Sequence, residues 1–244
     1  MQEVCLIIPC YNEEKRLDKT GILDFLGRYP NTALCFVNDG SKDNTKGVLK
    51  DLQMGNPKNI FVLDKVNNEG KAEAVRSGIH LMAAEKRFSI LGFWDADLST
   101  PLSELPGMLE RLVAQKECVA VFGSRLKRLG STIERNPMRH IFGRVFSTLS
   151  NWILGIPIYD SQCGAKIFRG EAISAIFGEK FVTRWLFDVE ILCRMRNQYG
   201  ARRTQEIVLE HPLLKWTDVE GSKLKLTDYF RVPFDLMRIY FHYN

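Results

Sequence analysis

The first half of the chain alternates short apolar runs, rich in β-branched residues, with segments of helical periodicity. Each apolar run is short and continuous, as expected of strands buried on both faces of a sheet. This alternation predicts an α/β fold with a mostly parallel central sheet flanked by helices, which receives ligands at the carboxyl ends of its strands. The predicted strands are residues 4–8, 33–37, 60–63, 90–94 and 118–122.

The predicted helices lie between these strands. In residues 103–115, apolar side chains recur at i, i+3, i+4, i+7 and i+8, which places them on one helix face. Weaker versions of the pattern occupy residues 44–54 and 70–85. The apolar face of the strongest helix consists of Leu105, Met108, Leu109, Leu112 and Val113.

A chain of 244 residues suits one large domain with a short appendage, which we place at residues 1–226 and 227–244. Its 45% hydrophobic and 26% charged residues exclude disordered and fibrous classes. No apolar run reaches about 18 residues, so no membrane-spanning helix is expected, and the first residues predict a strand rather than a signal peptide. The six cysteines show no CxxC spacing and are predicted to be reduced core residues.

Residues 229–244 form an aromatic-rich segment with two arginines, and Pro233 is expected in the first turn of a helix there. This helix either packs on the domain or lies on a bilayer surface. The sequence leaves both alternatives open, because it does not reveal which surface covers the apolar side chains.

A basic segment spans residues 125–144. The net charge of the chain is only +5, but six basic side chains in this segment are opposed by Glu134 alone. Such a segment is a solvated face, a nucleic-acid site, or a site for anionic headgroups or a substrate phosphate. Sparse aromatic residues and the lack of a helix-turn-helix, RRM or zinc pattern argue against nucleic acid. The six are Arg125, Lys127, Arg128, Arg135, Arg139 and Arg144.

Two carboxylates follow the fourth predicted strand directly. Asp95 and Asp97 stand at i and i+2 where the strand ends, so both can approach one divalent cation. Mg²⁺ or Mn²⁺ bound by one or two carboxylates completes its shell with water and substrate phosphates, which suggests a nucleotide diphosphate. The same pattern also occurs in ordinary turns and helix caps.

Polar residues also follow the other strands. Tyr11 offers a ring on which a base can stack, and Asp39 can accept a hydrogen bond from that base. Asn12 and either Asp43 or Asn44 can equally be capping residues. The loop 67–71 opens a helix, where free N–H groups and a lysine favour an anion. No Walker A or GxGxxG pattern supports a kinase or a dinucleotide enzyme.

Eight ordered blocks carry a resemblance that covers nearly the whole chain. They are IIPCYNEE at 7–14, VNDGSKDNT at 37–45, NNEGKAEAV at 67–75, DADLSTP at 95–101, GSR at 123–125, DSQCGAKIF at 160–168, RWLFDVEIL at 184–192 and KWTDVEGSKL at 215–224. In these blocks the sequence resembles family 2 glycosyltransferases, within them the dolichyl-phosphate (polyprenyl-phosphate) glucosyltransferase and mannose synthase branch. The later blocks are more similar to the glucosyl members. The resemblance implies the GT-A fold, a Rossmann-like nucleotide-binding fold, and UDP-glucose as donor.

The resemblance also implies roles for individual residues. It implies a uridine site, a diphosphate and metal site, an acceptor-phosphate site, and residues that line the sugar and acceptor side. The uridine site is Pro9, Tyr11, Glu13 and Asp39; the diphosphate site is Lys71 and Asp95, with Asp97 on the metal; the acceptor-phosphate site is Arg125, Arg139 and Arg144; the lining residues are Asp160, Asp188 and Glu190.

The acceptor decides which chemistry the site needs. A hydroxyl acceptor requires a general base, for which Asp188 is the first candidate and Asp160 the second. A phosphate monoester, with a second pKa near about 6, is already mostly dianionic at neutral pH and needs cations instead. We therefore expect an inverting transferase that moves a hexose onto polyprenyl or dolichyl phosphate, bound peripherally at the cytoplasmic face of a membrane.

Three alternatives remain at the level of sequence. One is a transferase of the same fold that uses GDP-mannose or a soluble glycan hydroxyl. Another is a non-catalytic basic module that binds membrane or nucleic acid. A sugar-nucleotide pyrophosphorylase is the third, although the chain lacks a glycine-rich, Arg/Lys-containing triphosphate loop near its N-terminus.

Overall fold

A central sheet organises the chain in the computed structural model, which describes residues 3–134, 137–219 and 226–244, with the backbone alone at residues 137–145 and 226–230. Within the described residues the sheet has seven strands in the order β3-β2-β1-β4-β7-β5-β8, and β6 pairs with β9 separately. The strands are β1 (Val4–Cys10), β2 (Thr32–Asp39), β3 (Ile60–Lys65), β4 (Ile90–Trp94), β5 (Ala120–Ser124), β6 (Thr132–Glu134), β7 (Ala165–Arg169), β8 (Val208–Pro212) and β9 (Lys215–Thr217).

The mostly parallel α/β sheet that the sequence predicts is confirmed, and the five predicted strands are β1 to β5. In β1, β2, β4 and β5 every residue but Pro9 is buried, which explains their continuous apolar runs. The alternation did not predict β7, which pairs antiparallel with both β4 and β5. Its fully buried Lys166 interrupts the apolar pattern by which a strand is recognised.

Helices cover both faces of the sheet and bury two apolar clusters, one on each side. The predicted helices at residues 44–54, 70–85 and 103–115 are α2, α3 and α4. The described helices are α1 (Lys19–Arg28), α2 (Thr45–Gly55), α3 (Lys71–Ala84), α4 (Leu105–Ala114), α5 (Pro137–Leu154), α6 (Gly170–Phe177), α7 (Phe187–Tyr199), α8 (Ala201–Ile207) and α9 (Leu226–Tyr243).

The last helix, α9, contains the aromatic-rich segment that closes the chain. Its side chains Leu236 and Ile239 are buried in a core cluster, whereas Phe234 and Phe241 are exposed. The expectation that Pro233 lies in the first turn is wrong, because the helical backbone starts at Leu226 and the proline lies inside the helix. The helix therefore lacks one internal hydrogen bond at the proline.

Two further sequence expectations concern the core and the membrane. All six cysteines are buried free thiols. Burial raises the pKa of Cys35 to about 12, as expected of an inert core thiol. Among the described residues, no helix combines the length and the apolar character needed to span a bilayer.

Candidate active site

Polar side chains gather where the parallel strands β1, β2 and β4 end. β1 lies between the other two and pairs in parallel with both, so their carboxyl ends meet at one edge of the sheet. We call the residues at this edge the donor edge, after the nucleotide-sugar site that the sequence resemblance implies; they are Pro9 to Glu14, Asp39, Lys71, Asp95 and Asp97. The helix α3 begins at the same edge, and Lys71 is its first residue.

The loops after β1 and β2 hold each other in place. Asn12 adopts a left-handed backbone (φ 52°), and its Oδ1 accepts a hydrogen bond from the backbone N–H of Lys42 at 2.8 Å. The N–H of Glu13 donates to Thr45 Oγ1 at 2.7 Å. These bonds across 30 residues or more fix the half-buried ring of Tyr11 and the buried carboxylate of Glu13 at the donor edge.

Asp39 connects β2 to the start of α3. Its buried carboxylate accepts the backbone N–H groups of Glu69 and Gly70 at 3.0 and 2.8 Å. Gly40 must be glycine, since its φ is 65° and a Cβ would lie 2.6 Å from the backbone of Asn67 and Asn68. The predicted contact between Asp39 and a base therefore has to use the lone pairs that these two amides leave available.

Lys71 lies between the carboxylates of the site. Its Nζ is 2.5 Å from Asp95 Oδ1. Burial alone would lower the pKa of Lys71, but nearby carboxylates, first Asp95 and then Asp188, outweigh burial and raise it. Lys71 is therefore a fixed ammonium beside the end of β4, where it can attract a phosphate.

Asp95 and Asp97 are the candidate metal ligands. Their side chains are 37% and 29% exposed, so a ligand can reach them. Asp97 Oδ1 accepts a hydrogen bond from the N–H of Ser99 at 3.0 Å. The intervening residue, Leu98, has a left-handed backbone (φ 51°). Two accessible carboxylates at a strand end are the donor set that Mg²⁺ and Mn²⁺ use together with substrate phosphates, so these residues fit a divalent cation.

Gly164 makes room for Asp95. A Cβ at position 164 would lie only 1.9 Å from Asp95 Oδ2, while the Gly164 carbonyl accepts the N–H of Asp95 at 3.0 Å. The glycine of the block DSQCGAKIF thus permits the carboxylate to occupy its position. This explains physically why a glycine stands there.

On the other side of β4, Asp188 forms a buried ion pair. Its Oδ1 accepts a hydrogen bond from Lys166 Nζ at 2.5 Å, and Lys166 also donates to the carbonyl of Cys163 at 2.6 Å. The rings of Phe93 and Phe122 lie 5.2 and 5.0 Å from the same ammonium. Lys166 was not among the residues selected from the sequence, although a lysine inside an otherwise apolar strand is a visible signal.

Glu190 faces away from this ion pair. Its carboxylate accepts the N–H groups of Val182 and Thr183 at 2.8 and 2.7 Å and the hydroxyl of Tyr243 at 3.0 Å. It therefore ties the segment before α7 to the end of α9. The preceding Arg184, also overlooked in the sequence, reaches the carbonyls of Asn68 and Glu69 at 3.2 Å each.

Arg125 and Asp160 form a second buried pair beyond β5, with side chains 15% and 7% exposed. Arg125 donates through Nε and Nη2, each at 2.7 Å, and through its backbone N–H at 3.0 Å. The ring of Trp216 covers the guanidinium, with 5.5 Å between ring centre and Cζ. Burial alone would lower the pKa of Arg125, but Asp160 outweighs it and raises that pKa. The side chains of Arg139 and Arg144 lie outside the described residues.

Residues 5–177 match the sequence profile of the family described as Glycosyl transferase family 2. The chain belongs to this family. The matched residues run from β1 to α6 and include the donor edge, Arg125 and Asp160. The protein is therefore an enzyme, a family 2 glycosyltransferase.

This glycosyltransferase is similar over most of its length to enzymes named dolichyl-phosphate beta-glucosyltransferase. It is 33% identical to one from Trichomonas vaginalis, covering 99% of this chain and 74% of the relative. It is 32% identical to the human enzyme, covering 91% and 70%, and 31% identical to the Saccharomyces cerevisiae enzyme, covering 96% and 73%.

Solved structures with a similar fold include glucosyl-3-phosphoglycerate synthase from Mycobacterium tuberculosis. Its complex with UDP superposes with a TM-score of 0.68 at 15% identity, covering 98% of this glycosyltransferase and 80% of the synthase. Its complex with Mn²⁺ and UDP-glucose gives a TM-score of 0.68 at 14% identity, covering 98% and 77%. The predicted GT-A fold is confirmed.

Proposed function

We propose that this glycosyltransferase moves glucose from UDP-glucose to the phosphate of a polyprenyl or dolichyl phosphate, with inversion at the anomeric carbon and with Mg²⁺ or Mn²⁺ as cofactor. The observation that carries the proposal is similarity, over 91 to 99% of the chain, to three enzymes named for glucosyl transfer to dolichyl phosphate. The geometry of the site supports it on both the donor and the acceptor side.

On the donor side, Tyr11 and Asp39 would hold the base and Lys71 would meet the diphosphate. Asp95 and Asp97 would hold the cation, which as a Lewis acid stabilises negative charge on the leaving diphosphate. The Lys71 ammonium adds positive charge at the same place, because it stands 2.5 Å from Asp95 before any ligand arrives.

On the acceptor side, Arg125 would bind the lipid phosphate. Asp160 and Trp216 fix the plane of its guanidinium, so that one edge is held by the carboxylate and Nη1 is directed elsewhere. Preorganised guanidinium groups suit phosphate, which they bind through parallel hydrogen bonds. Asp160, predicted as a possible base, would then act by positioning Arg125.

The ion pair of Asp188 favours an acceptor that is already ionised. If Asp188 took a proton from a hydroxyl, the fully buried Lys166 ammonium would lose its counter-ion. Leaving such a charge unpaired costs about 3 to 5 kcal/mol. A phosphate dianion attacks without giving up a proton, so Asp188 can remain a carboxylate. It would then hold Lys166, which also binds the carbonyl of Cys163.

The test is a transfer assay with purified protein, with UDP-glucose or GDP-mannose as donor and with polyprenyl phosphate or a soluble glycan as acceptor. We expect glucose on the lipid phosphate in the presence of Mn²⁺ or Mg²⁺, and loss of transfer in excess EDTA. Preferential glycosylation of the soluble glycan, or transfer from GDP-mannose alone, would contradict the proposal.

Arg125→Lys examines the acceptor site in the same assay. A lysine keeps the charge but not the two-point contact with Asp160, so the KM for lipid phosphate should rise about tenfold while the KM for UDP-glucose is unchanged. Arg128→Lys is the matched control, because Arg128 is exposed and its guanidinium donates to the carbonyl of Pro212 at 3.4 Å rather than to a carboxylate.

Peripheral membrane binding, predicted from the sequence, is part of the proposed function. The outward side of α9 exposes Phe234, Met237, Tyr240 and Phe241, and the 79% exposed Trp152 of α5 stacks on Tyr240 with 6.3 Å between ring centres. Aromatic side chains of this kind favour the interface between water and lipid, and a bilayer surface would cover them. The location of the enzyme at the cytoplasmic face of a membrane stays a prediction from the sequence.

Vesicle sedimentation tests this contact. Vesicles that contain anionic lipid should carry the protein down at low salt, and the double variant Trp152→Ser with Phe241→Ser should sediment several-fold less. Met54→Ser, which changes an exposed apolar residue on α2, should bind like the wild type. Equal sedimentation of all three proteins would exclude this surface as the membrane contact.

A further inference from the structure

Glu210 stands in β8 at a position where the sheet pattern calls for an apolar side chain. Val208, two residues earlier on the same face, packs against one core cluster, and Leu209 packs against the cluster on the opposite face. Glu210 thus points toward the face of Val208. A carboxylate placed there needs hydrogen-bond donors to offset the loss of water.

Two backbone amides of one loop supply these donors. Glu210 Oε2 accepts the N–H of Tyr159, and Oε1 accepts the N–H of Asp160, both at 2.9 Å. The carboxylate therefore fixes the peptide from which the side chain of Asp160 departs. That side chain in turn receives three hydrogen bonds from Arg125.

The second support of Arg125 is built in the same manner. The buried carboxylate of Glu104 accepts the N–H groups of Leu214 and Lys215 at 3.1 and 2.9 Å, at the start of β9. The next residue of β9 is Trp216, which covers the Arg125 guanidinium. One glutamate thus supports the edge of the guanidinium and another supports its face.

We infer that Glu210 is a positioning residue of the acceptor site, which acts through Asp160 to fix the guanidinium of Arg125 for an anionic acceptor. The inference deepens the proposed function and rests on it. The carboxylate of Glu210 is half-buried, and its two hydrogen bonds to amides contribute only modestly to stability. Its two bonds do, however, set the orientation of Asp160, and with it the two-point contact to Arg125.

The variant Glu210→Gln separates this role from a general contribution to the fold. Glutamine keeps one acceptor oxygen but turns an N–H donor toward the N–H of Tyr159 or Asp160, so the loop must shift. The control is Glu206→Gln on α8, where the same change affects an exposed carboxylate paired with Arg202 and Arg203.

The first measurement needs no substrate. In an NMR spectrum, Arg125 Nε–H should exchange slowly with water in the wild type and in Glu206→Gln, because it is bonded to Asp160. In Glu210→Gln the exchange should be at least several-fold faster, in a protein that retains its melting behaviour within a few degrees. Unchanged exchange at Arg125 would overturn the inference, whatever the activity.

The second measurement is a double-mutant cycle on transfer. Glu210→Gln should raise the KM for polyprenyl phosphate about tenfold and leave the KM for UDP-glucose unchanged. In the Arg125→Lys background the same change should have little further effect, since two residues that act through one contact are not additive. Full additivity, or an equal rise in the KM for both substrates, would overturn the inference. If the NMR result holds while the wild type fails to use polyprenyl phosphate, the proposed function is wrong and the positioning of Arg125 by Glu210 stands.

Discussion

Two regions of the site are built by different means: the proposed donor edge, and the proposed acceptor side around the pairs Arg125–Asp160 and Lys166–Asp188. At the donor edge, functional side chains follow the ends of apolar strands; backbone N–H groups hold Asp39 and Asp97, and the charged pair of Lys71 and Asp95 stays accessible to a ligand. On the acceptor side, buried charges hold one another: Lys166 pairs with Asp188, and Asp160 pairs with Arg125. The site edge of a parallel sheet can therefore be predicted from strand patterns in the sequence. The partners in a network of buried charges cannot, because only the fold brings them together.

The largest expected effect tests whether the donor edge depends on charge. Asp97→Asn keeps the hydrogen bond from Ser99 but removes a negative charge, and transfer should fall by about 10²- to 10³-fold. Asp18→Asn is the control, because Asp18 caps α1 and asparagine caps helices equally well. If transfer in Asp97→Asn equals that of the control, the donor edge does not hold the cofactor as described.

The next effect tests whether Gly164, in the loop before β7, fixes the position of Asp95 at the donor edge. In Gly164→Ala the new methyl would overlap Asp95 Oδ2, so the carboxylate must move and kcat should fall about 10²-fold. Stability should change little, because Asp95 is partly exposed. Gly27→Ala is the matched control, since a Cβ there meets nothing within 4 Å. Normal kcat in Gly164→Ala would mean that the position of Asp95 is not critical.

The residues changed in these two variants differ in whether the sequence alone could predict their roles. Strand patterns located β1 to β5 and the edge that carries Asp95 and Asp97. They did not reveal Lys166 or Glu210, because a charged residue inside a strand breaks the pattern by which strands are recognised. The reason for Gly164 was equally hidden, since it depends on the distance to Asp95.

A smaller effect tests whether α7, which carries Asp188, depends on α9. The Tyr243 hydroxyl donates to Glu190 and accepts from Arg194 Nε at 2.9 Å, and burial raises the pKa of Tyr243 to about 12. Tyr243→Phe should therefore lower the free energy of unfolding by about 1 to 2 kcal/mol, measured by denaturant titration. Tyr240→Phe, at an exposed position, should leave it unchanged. Equal stability of both variants would show that α9 is not tied to α7 through this hydroxyl.

The smallest effect concerns the pH dependence of stability at Asp64, which accepts a hydrogen bond from Asn38 next to the donor edge. Lys46 and Asn38 hold the pKa of Asp64 below its usual value. This carboxylate thus stabilises the fold above its unfolded pKa of about 3.9, and the contribution is lost as the pH falls through the lower folded pKa. Asp64→Asn should remove this part of the acid dependence, with a change of under about 0.5 kcal/mol at pH 7. Melting temperatures between pH 2 and 7 measure it, and an unchanged acid limb would contradict the assignment.

In the proposed function, Asp95 and Asp97 bind the donor diphosphate through a divalent cation. Isothermal titration calorimetry of UDP-glucose into the wild-type protein, with Mn²⁺ and then with EDTA, tests it directly. UDP-glucose should bind in the presence of Mn²⁺, and its affinity should weaken at least tenfold in EDTA. Equal affinity for UDP-glucose under both conditions would contradict it.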